Sequence, residues 1–162
     1  MFKKIFDRSS RVESNRVSTR FKMIFSLLIS LLLATPTLAF DNSDIVDINI
    51  DITNQEMSVR VGGAKRYTWP VSTARKGYET PLGKFKPTRL HEEYYSQLYE
   101  GSPMPYSIFF HEGYAIHGTT AIKRLGHPAS HGCVRLDPEN AEKLFKLVSV
   151  KGRGNTFIRI FN

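Results

Sequence analysis

From residue 46 onward the chain alternates. Val46, Ile48, Ile50 and Ile52 are apolar, while Asp47, Asn49 and Asp51 between them are polar. A period of two sends successive side chains to opposite faces, so 46–52 is predicted to be a strand with one face buried. Thr53-Asn54 turns the chain, and Met57 to Val61 alternates again. Gly62-Gly63 then suits a tight hairpin turn whose central residues need positive φ, and Arg66 to Val71 returns as the partner strand. Phe85–Leu90, Ser107–Phe110 and Tyr114–His117 are shorter strand candidates, and Thr156–Ile160 closes the chain as another.

One segment keeps the helical period instead. Ala141, Leu144, Phe145 and Val148 fall at i, i+3, i+4 and i+7. Asp137 before it is a good N-cap, and Pro138 fits the first helical position, where its missing N–H costs nothing. Gly152 and Gly154 end the segment. The pattern therefore predicts a mainly β, sandwich-like domain with one clear helix, about residues 138–150.

The longest apolar run has a different character. Residues 1–22 are polar and basic, Met23 to Ala34 is almost wholly apolar, and Thr35-Pro36-Thr37-Leu38-Ala39 follows with small residues on either side of Leu38. A basic stretch, an apolar core and a small-x-small exit describe a secretory signal peptide. The run falls short of the roughly 20 residues that span a bilayer, and Pro36 breaks it, which disfavours a permanent anchor. The expected organisation is a signal peptide over 1–39 with a long basic n-region, and one domain over 40–162 working outside the cytoplasmic membrane, in the periplasm.

Charge follows from that division. The formal net charge is +8, which on its own invites a nucleic-acid partner. Residues 1–39 hold seven Lys/Arg against two Asp/Glu, and the remainder sixteen against thirteen. The mature part is thus only mildly basic, without a long run of cations, and a nucleic-acid groove is not expected. No repeat, low-complexity tract or linker divides it.

The chemistry concentrates in Ser130-His131-Gly132-Cys133-Val134-Arg135-Leu136, which holds the only cysteine of the chain. A lone thiol has no internal disulfide partner. Neighbouring His and Arg favour the thiolate, the nucleophilic form, so a Cys-His pair for acyl transfer is one reading; a small buried hydrophobe is the other. His117 ends a strand-like segment sixteen positions before Cys133, and the connector Thr119 to Ala129 is long enough to fold back and let the two meet. Gly132 permits a tight turn, from which the amides of Gly132 and Cys133 can aim at one carbonyl oxygen. Arg135 offers a fork of donors to a carboxylate.

His117-Gly118-Thr119 and Ser130-His131-Gly132-Cys133-Val134-Arg135 resemble the signature of the L,D-transpeptidase (YkuD-like) catalytic domain. Thr80-Pro81-Leu82-Gly83-Lys84-Phe85 is similar to that family's upstream Thr-Pro-x-Gly-x-Phe element, and Trp69-Pro70-Val71-Ser72-Thr73 sits where the family has a strand and loop. The likeness runs over roughly 45–161. It implies a β-sandwich-like cysteine acyltransferase acting on peptidoglycan stem peptides. Cys133 is then the nucleophile, attacking at meso-diaminopimelate and releasing D-alanine, and the acceptor is an amine of a second stem, a lysine of an outer-membrane protein, or water. His117 becomes the base, oriented by the Gly118 carbonyl; Ser130 and His131 shape the pocket, and Arg135 faces substrate. Many members have Asn where this chain has Arg135. No cofactor or metal is implied.

His131 lies nearer Cys133 in sequence than His117 does, but some members have lysine there, which favours His117 as the base. A zinc site built from His117, His131 and Cys133 matches none of the usual ligand spacings. His91, His111 and His127 are expected to be surface or packing residues. Alternatives to the transpeptidase reading are an L,D-carboxypeptidase or endopeptidase, and a wall-binding protein without turnover. The loop Glu92 to Tyr106 carries Tyr94, Tyr95, Tyr99 and Tyr106 and suits either a lid over the stem peptide or packing under a long connection.

Overall fold

A computed structural model describes residues 42–162; the segment 1–39 read as a signal peptide lies outside the described residues. Among the described residues the fold is made of two sheets and one long helix. Strands β1 (Val46–Asp51), β2 (Glu56–Val61), β3 (Ala64–Pro70), β4 (Gly83–Phe85) and β9 (Thr156–Phe161) form the first sheet, in the order β3-β2-β1-β9-β4. The second is β5-β6-β7-β8, from Arg89–His91, Ser107–His111, Tyr114–Gly118 and Val134–Leu136. The helix α1 spans Pro138–Lys151.

Periodicity foretold the first hairpins closely. The inward residues of β1, Val46, Ile48 and Ile50, are all fully buried. Gly62 and Gly63 turn β2 into β3 with φ of 58° and 80°, the doubly positive geometry of a type I′ turn. Pairing of β1 with β9 is parallel and joins the two ends of the domain.

Phe85–Leu90 departs from expectation. In place of one strand there are two, β4 in the first sheet and β5 in the second. Pro87 stands between them, buried. With no N–H to give a ladder, it ends one strand and lets the chain cross to the other sheet.

The cap of α1 is as the sequence predicts: Asp137 accepts a hydrogen bond from the Glu139 amide at 2.9 Å, and Pro138 opens the helix. Its Ala141, Leu144 and Val148 are buried in the main core, together with residues of both sheets. Within the second sheet the two faces divide. Ile108, Phe110, Ile116, Val134 and Leu136 belong to that main core. Phe109 and Ala115 belong instead to a small second cluster against which Cys133 packs. Strand alternation therefore puts Ala115, His117, Cys133 and Arg135 together on the face turned away from the main core.

Candidate active site

His117 and Arg135 are partners in the parallel ladder of β7 and β8. Cys133 precedes β8 and lies two residues before Arg135, on the same face. The connector between the two strands is held down by Val71–Thr73. Gly126 donates to the Val71 carbonyl, Ala129 and Ser130 both donate to Thr73, and Ser72 exchanges backbone bonds with Arg135 at 3.0 and 2.9 Å. The Ser72 hydroxyl adds a bond to the His127 carbonyl at 2.7 Å. The fold-back that brings His117 and Cys133 to one site is thus secured by a segment remote in sequence from both.

The turn before Cys133 is tightly confined. Gly132 has φ of +127°, and a Cβ there would stand 2.4 Å from Tyr114 and 2.8 Å from the Glu79 carbonyl oxygen. Only glycine fits. The Gly132 amide donates to Ser130 Oγ at 2.9 Å, and Ser130 is fully buried. This corrects the expected pair of oxyanion donors: the Gly132 N–H is committed to Ser130, and the Cys133 amide is the donor left of the two.

His117 is buried, and its Nδ1 lies 2.7 Å from the Gly118 carbonyl oxygen. A carbonyl can only accept, so Nδ1 carries the proton and Nε2 presents its lone pair. Burial is the main cause that pushes the His117 pKa down to about 4; the Gly118 bond opposes it, and the Arg135 charge adds to it. The imidazole is neutral near pH 7. Burial also raises the Cys133 thiol above its ordinary value, outweighing the Ala115 amide and Arg135, which both pull it down. Arg135 pulls toward the thiolate, as expected of a cationic neighbour, but burial of the thiol outweighs it. Desolvation wins, and the resting pair is thiol and imidazole.

A cavity of about 240 Å³ opens over this face, lined among others by His117, Cys133, Arg135, His131, Met104 and Tyr99. His131 is stacked on Tyr99 with ring centroids 4.5 Å apart, and meets Tyr78 edge-on at 4.5 Å. Its pKa is lowered by burial first, then by Arg75 and Arg135. Its ring is engaged by two tyrosines at the cavity wall. Of the other histidines, His91 lies against Tyr94 and Phe109, and His111 against Phe85 and Tyr114. In the loop 92–106, Tyr94 packs on Phe109 and Tyr106 on Phe145, the packing expected under a long connection, while Tyr99 lines the cavity.

Sequence reading missed Thr80, whose hydroxyl donates to the Gly132 carbonyl at 2.8 Å, and the Ala115 amide that acts on the thiol. It also missed Tyr99 on His131. Only Thr80 left a signal, its place in the Thr-Pro-x-Gly-x-Phe element.

Comparison with known proteins shows the family and the fold. The profile of the L,D-transpeptidase catalytic domain (YkuD) matches residues 45–156. A probable L,D-transpeptidase of Escherichia coli K12, YbiS, is 32% identical over 110 residues, covering 52% of this chain and 35% of the relative. The solved L,D-transpeptidase of Stackebrandtia nassauensis superposes with a TM-score of 0.64 at 26% identity, covering 78% of this chain and 62% of that one. L,D-transpeptidase 3 of Mycobacterium tuberculosis, solved with a faropenem-derived adduct, superposes at 0.63 with 18% identity over 72% of this chain and 60% of that one, a likeness of fold. The chain thus spans about a third of the curated relative and under two thirds of the solved ones.

Proposed function

Because this chain belongs to the L,D-transpeptidase catalytic-domain family, we propose that it is a cysteine acyltransferase acting on peptidoglycan stem peptides. Cys133 is the nucleophile. As its sulfur attacks the carbonyl at the L-centre of meso-diaminopimelate, the thiol proton passes to Nε2 of His117. The Cys133 amide stabilises the oxyanion. Collapse breaks the peptide bond, and the imidazolium returns the proton to the departing amine of D-alanine. The thioester is then attacked by an amine acceptor, which regenerates the thiol and makes a 3→3 crosslink or a bond to an outer-membrane protein.

A neutral resting pair suits this sequence of steps. Charge appears on sulfur and imidazole only when substrate is in place, and Arg135 lies beside both. The observation that carries the reading is the His117 Nδ1 bond to the Gly118 carbonyl, on the strand beside the cysteine turn. It leaves the other ring nitrogen free to act as base. Export through the 1–39 segment and work in the periplasm belong to the same proposal, because stem peptides are outside the cytoplasmic membrane.

The test is product analysis by mass spectrometry after incubation with purified tetrapeptide muropeptides. A crosslinked dimer with free D-alanine is expected. Tripeptide monomers alone would move the reading to the carboxypeptidase with water as acceptor. No change in the muropeptides would leave the non-catalytic wall binder.

A further inference from the structure

We propose that Thr80 is a positioning residue that aims the oxyanion donor, the Cys133 amide; the inference rests on the acyl-transfer reading above. The Thr80 hydroxyl donates to the Gly132 carbonyl at 2.8 Å and accepts from the Ala74 amide at 3.0 Å. A hydroxyl has one proton, so the direction of the chain is fixed: Ala74 N–H to Thr80 Oγ1–H to Gly132 C=O. Thr80 is only 7% exposed, and water does not readily replace this bond.

The Gly132 carbonyl and the Cys133 N–H belong to one peptide group. That group is planar and trans, so its C=O and N–H point in opposite directions. Drawing the carbonyl toward Thr80 turns the N–H away from Thr80 and fixes its bearing. A carbonyl that accepts a strong hydrogen bond is also further polarised, which makes the N–H of the same peptide a better donor. The peptide before it is held as well, by the Gly132 amide on Ser130 Oγ. Glycine at 132 has no torsional stiffness of its own, so these two hydroxyls supply the rigidity its backbone lacks.

The Thr80 hydroxyl bonds the Gly132 carbonyl and the Ala74 amide, not the thiol or the imidazole. Its effect is therefore expected in the step where negative charge develops on the carbonyl oxygen, and not in the ionisation of the thiol. A donor that acts on the transition state changes kcat and leaves KM nearly unmoved.

The experiment compares Thr80→Val, which keeps shape and loses the hydroxyl, with Thr80→Ser, which keeps the hydroxyl. The full chain is used, and the active fraction is normalised by thiol titration. Three rates are read: stem-peptide turnover, acylation by imipenem, and alkylation of Cys133 by iodoacetamide across pH. Thr80→Val should lower kcat and the acylation rate about 10–100-fold, less than outright loss of an oxyanion donor. KM and the alkylation profile should stay within about twofold, and Thr80→Ser should recover activity to within about threefold. If Thr80→Val does not fold, Thr80→Ala gives the same readings. Acylation at the wild-type rate in the hydroxyl-less variant would overturn the proposal, as would alkylation slowed as much as acylation. A wild-type protein that is alkylated normally yet never acylated would overturn the acyl-transfer reading itself, and the role of Thr80 with it.

Discussion

Nδ1 of His117 lies 2.7 Å from the carbonyl oxygen of Gly118, the next residue in the same strand. A strand normally spends that carbonyl on its neighbour. Here it fixes the tautomer of a buried imidazole, and the other ring nitrogen, Nε2, is left without a proton.

Gly118 also lies close against α1. A Cβ at 118 would stand 3.1 Å from Pro105 Cγ, 3.2 Å from Pro138 Cα and 3.4 Å from Ala141 Cβ. Gly118→Ala should therefore destabilise the fold by about 1–3 kcal/mol, the usual cost of overpacking. Pro105, α1 or the strand must give by a few tenths of an ångström for the methyl group to fit, and a shift of the strand would carry the carbonyl with it. Turnover of the folded fraction should fall as well. Urea unfolding and turnover per folded molecule check the two effects separately.

The depressed pKa of His117 links stability to pH. The unfolded imidazole titrates near 6.5 and the folded one near 4. Below 6.5 the unfolded state takes up a proton that the folded state refuses. The stabilisation from neutral His117 is therefore complete above pH 6.5, is lost as pH falls toward 4, and levels off below. The shift corresponds to roughly 3 kcal/mol at about 1.4 kcal/mol per unit. Thermal unfolding between pH 7 and 4 should show a steeper loss in the wild type than in His117→Gln. Turnover in that variant should fall about 10²–10⁴-fold with the loss of the base. Since the thiol is raised by burial, the substitution should not raise it further, which an alkylation rate measured against pH would show.

Arg135 is half-buried and lines the same cavity as the thiol. Arg135→Lys keeps the charge but replaces a planar fork by a point charge. Loss of a charged hydrogen bond of about 2–3 kcal/mol corresponds to a kcat/KM lower by about 30–150-fold. Unchanged steady-state kinetics would place Arg135 outside the substrate site.

Regular periodicity made part of this molecule legible in its sequence. Strands β1 to β3, the Gly62-Gly63 turn and helix α1 with its Asp137 cap follow from local patterns. So does β7, read from the sequence as a short strand over Tyr114–His117. Strand β8 did not: three residues, Val134–Leu136, are too few to carry a period. Pro87 stood in view, but that it divides two sheets depends on pairings far away in the chain. The parallel union of β1 and β9 is likewise nonlocal. Desolvation of Cys133 is also invisible in sequence, since His131 and Arg135 beside it suggest the opposite ionisation. Tyr99 meets His131 across a loop whose path no local rule fixes, and Thr80 reaches Gly132 over 52 positions.

The most direct measurement is intact-mass analysis of the protein after exposure to a carbapenem, followed by peptide mapping, on the wild type and Cys133→Ala. One covalent adduct on the peptide that carries Cys133 is expected in the wild type. Cys133→Ala should unfold normally and show none. A wild type that acquires no adduct, or an adduct that persists in Cys133→Ala, would contradict the assignment of Cys133 as the nucleophile.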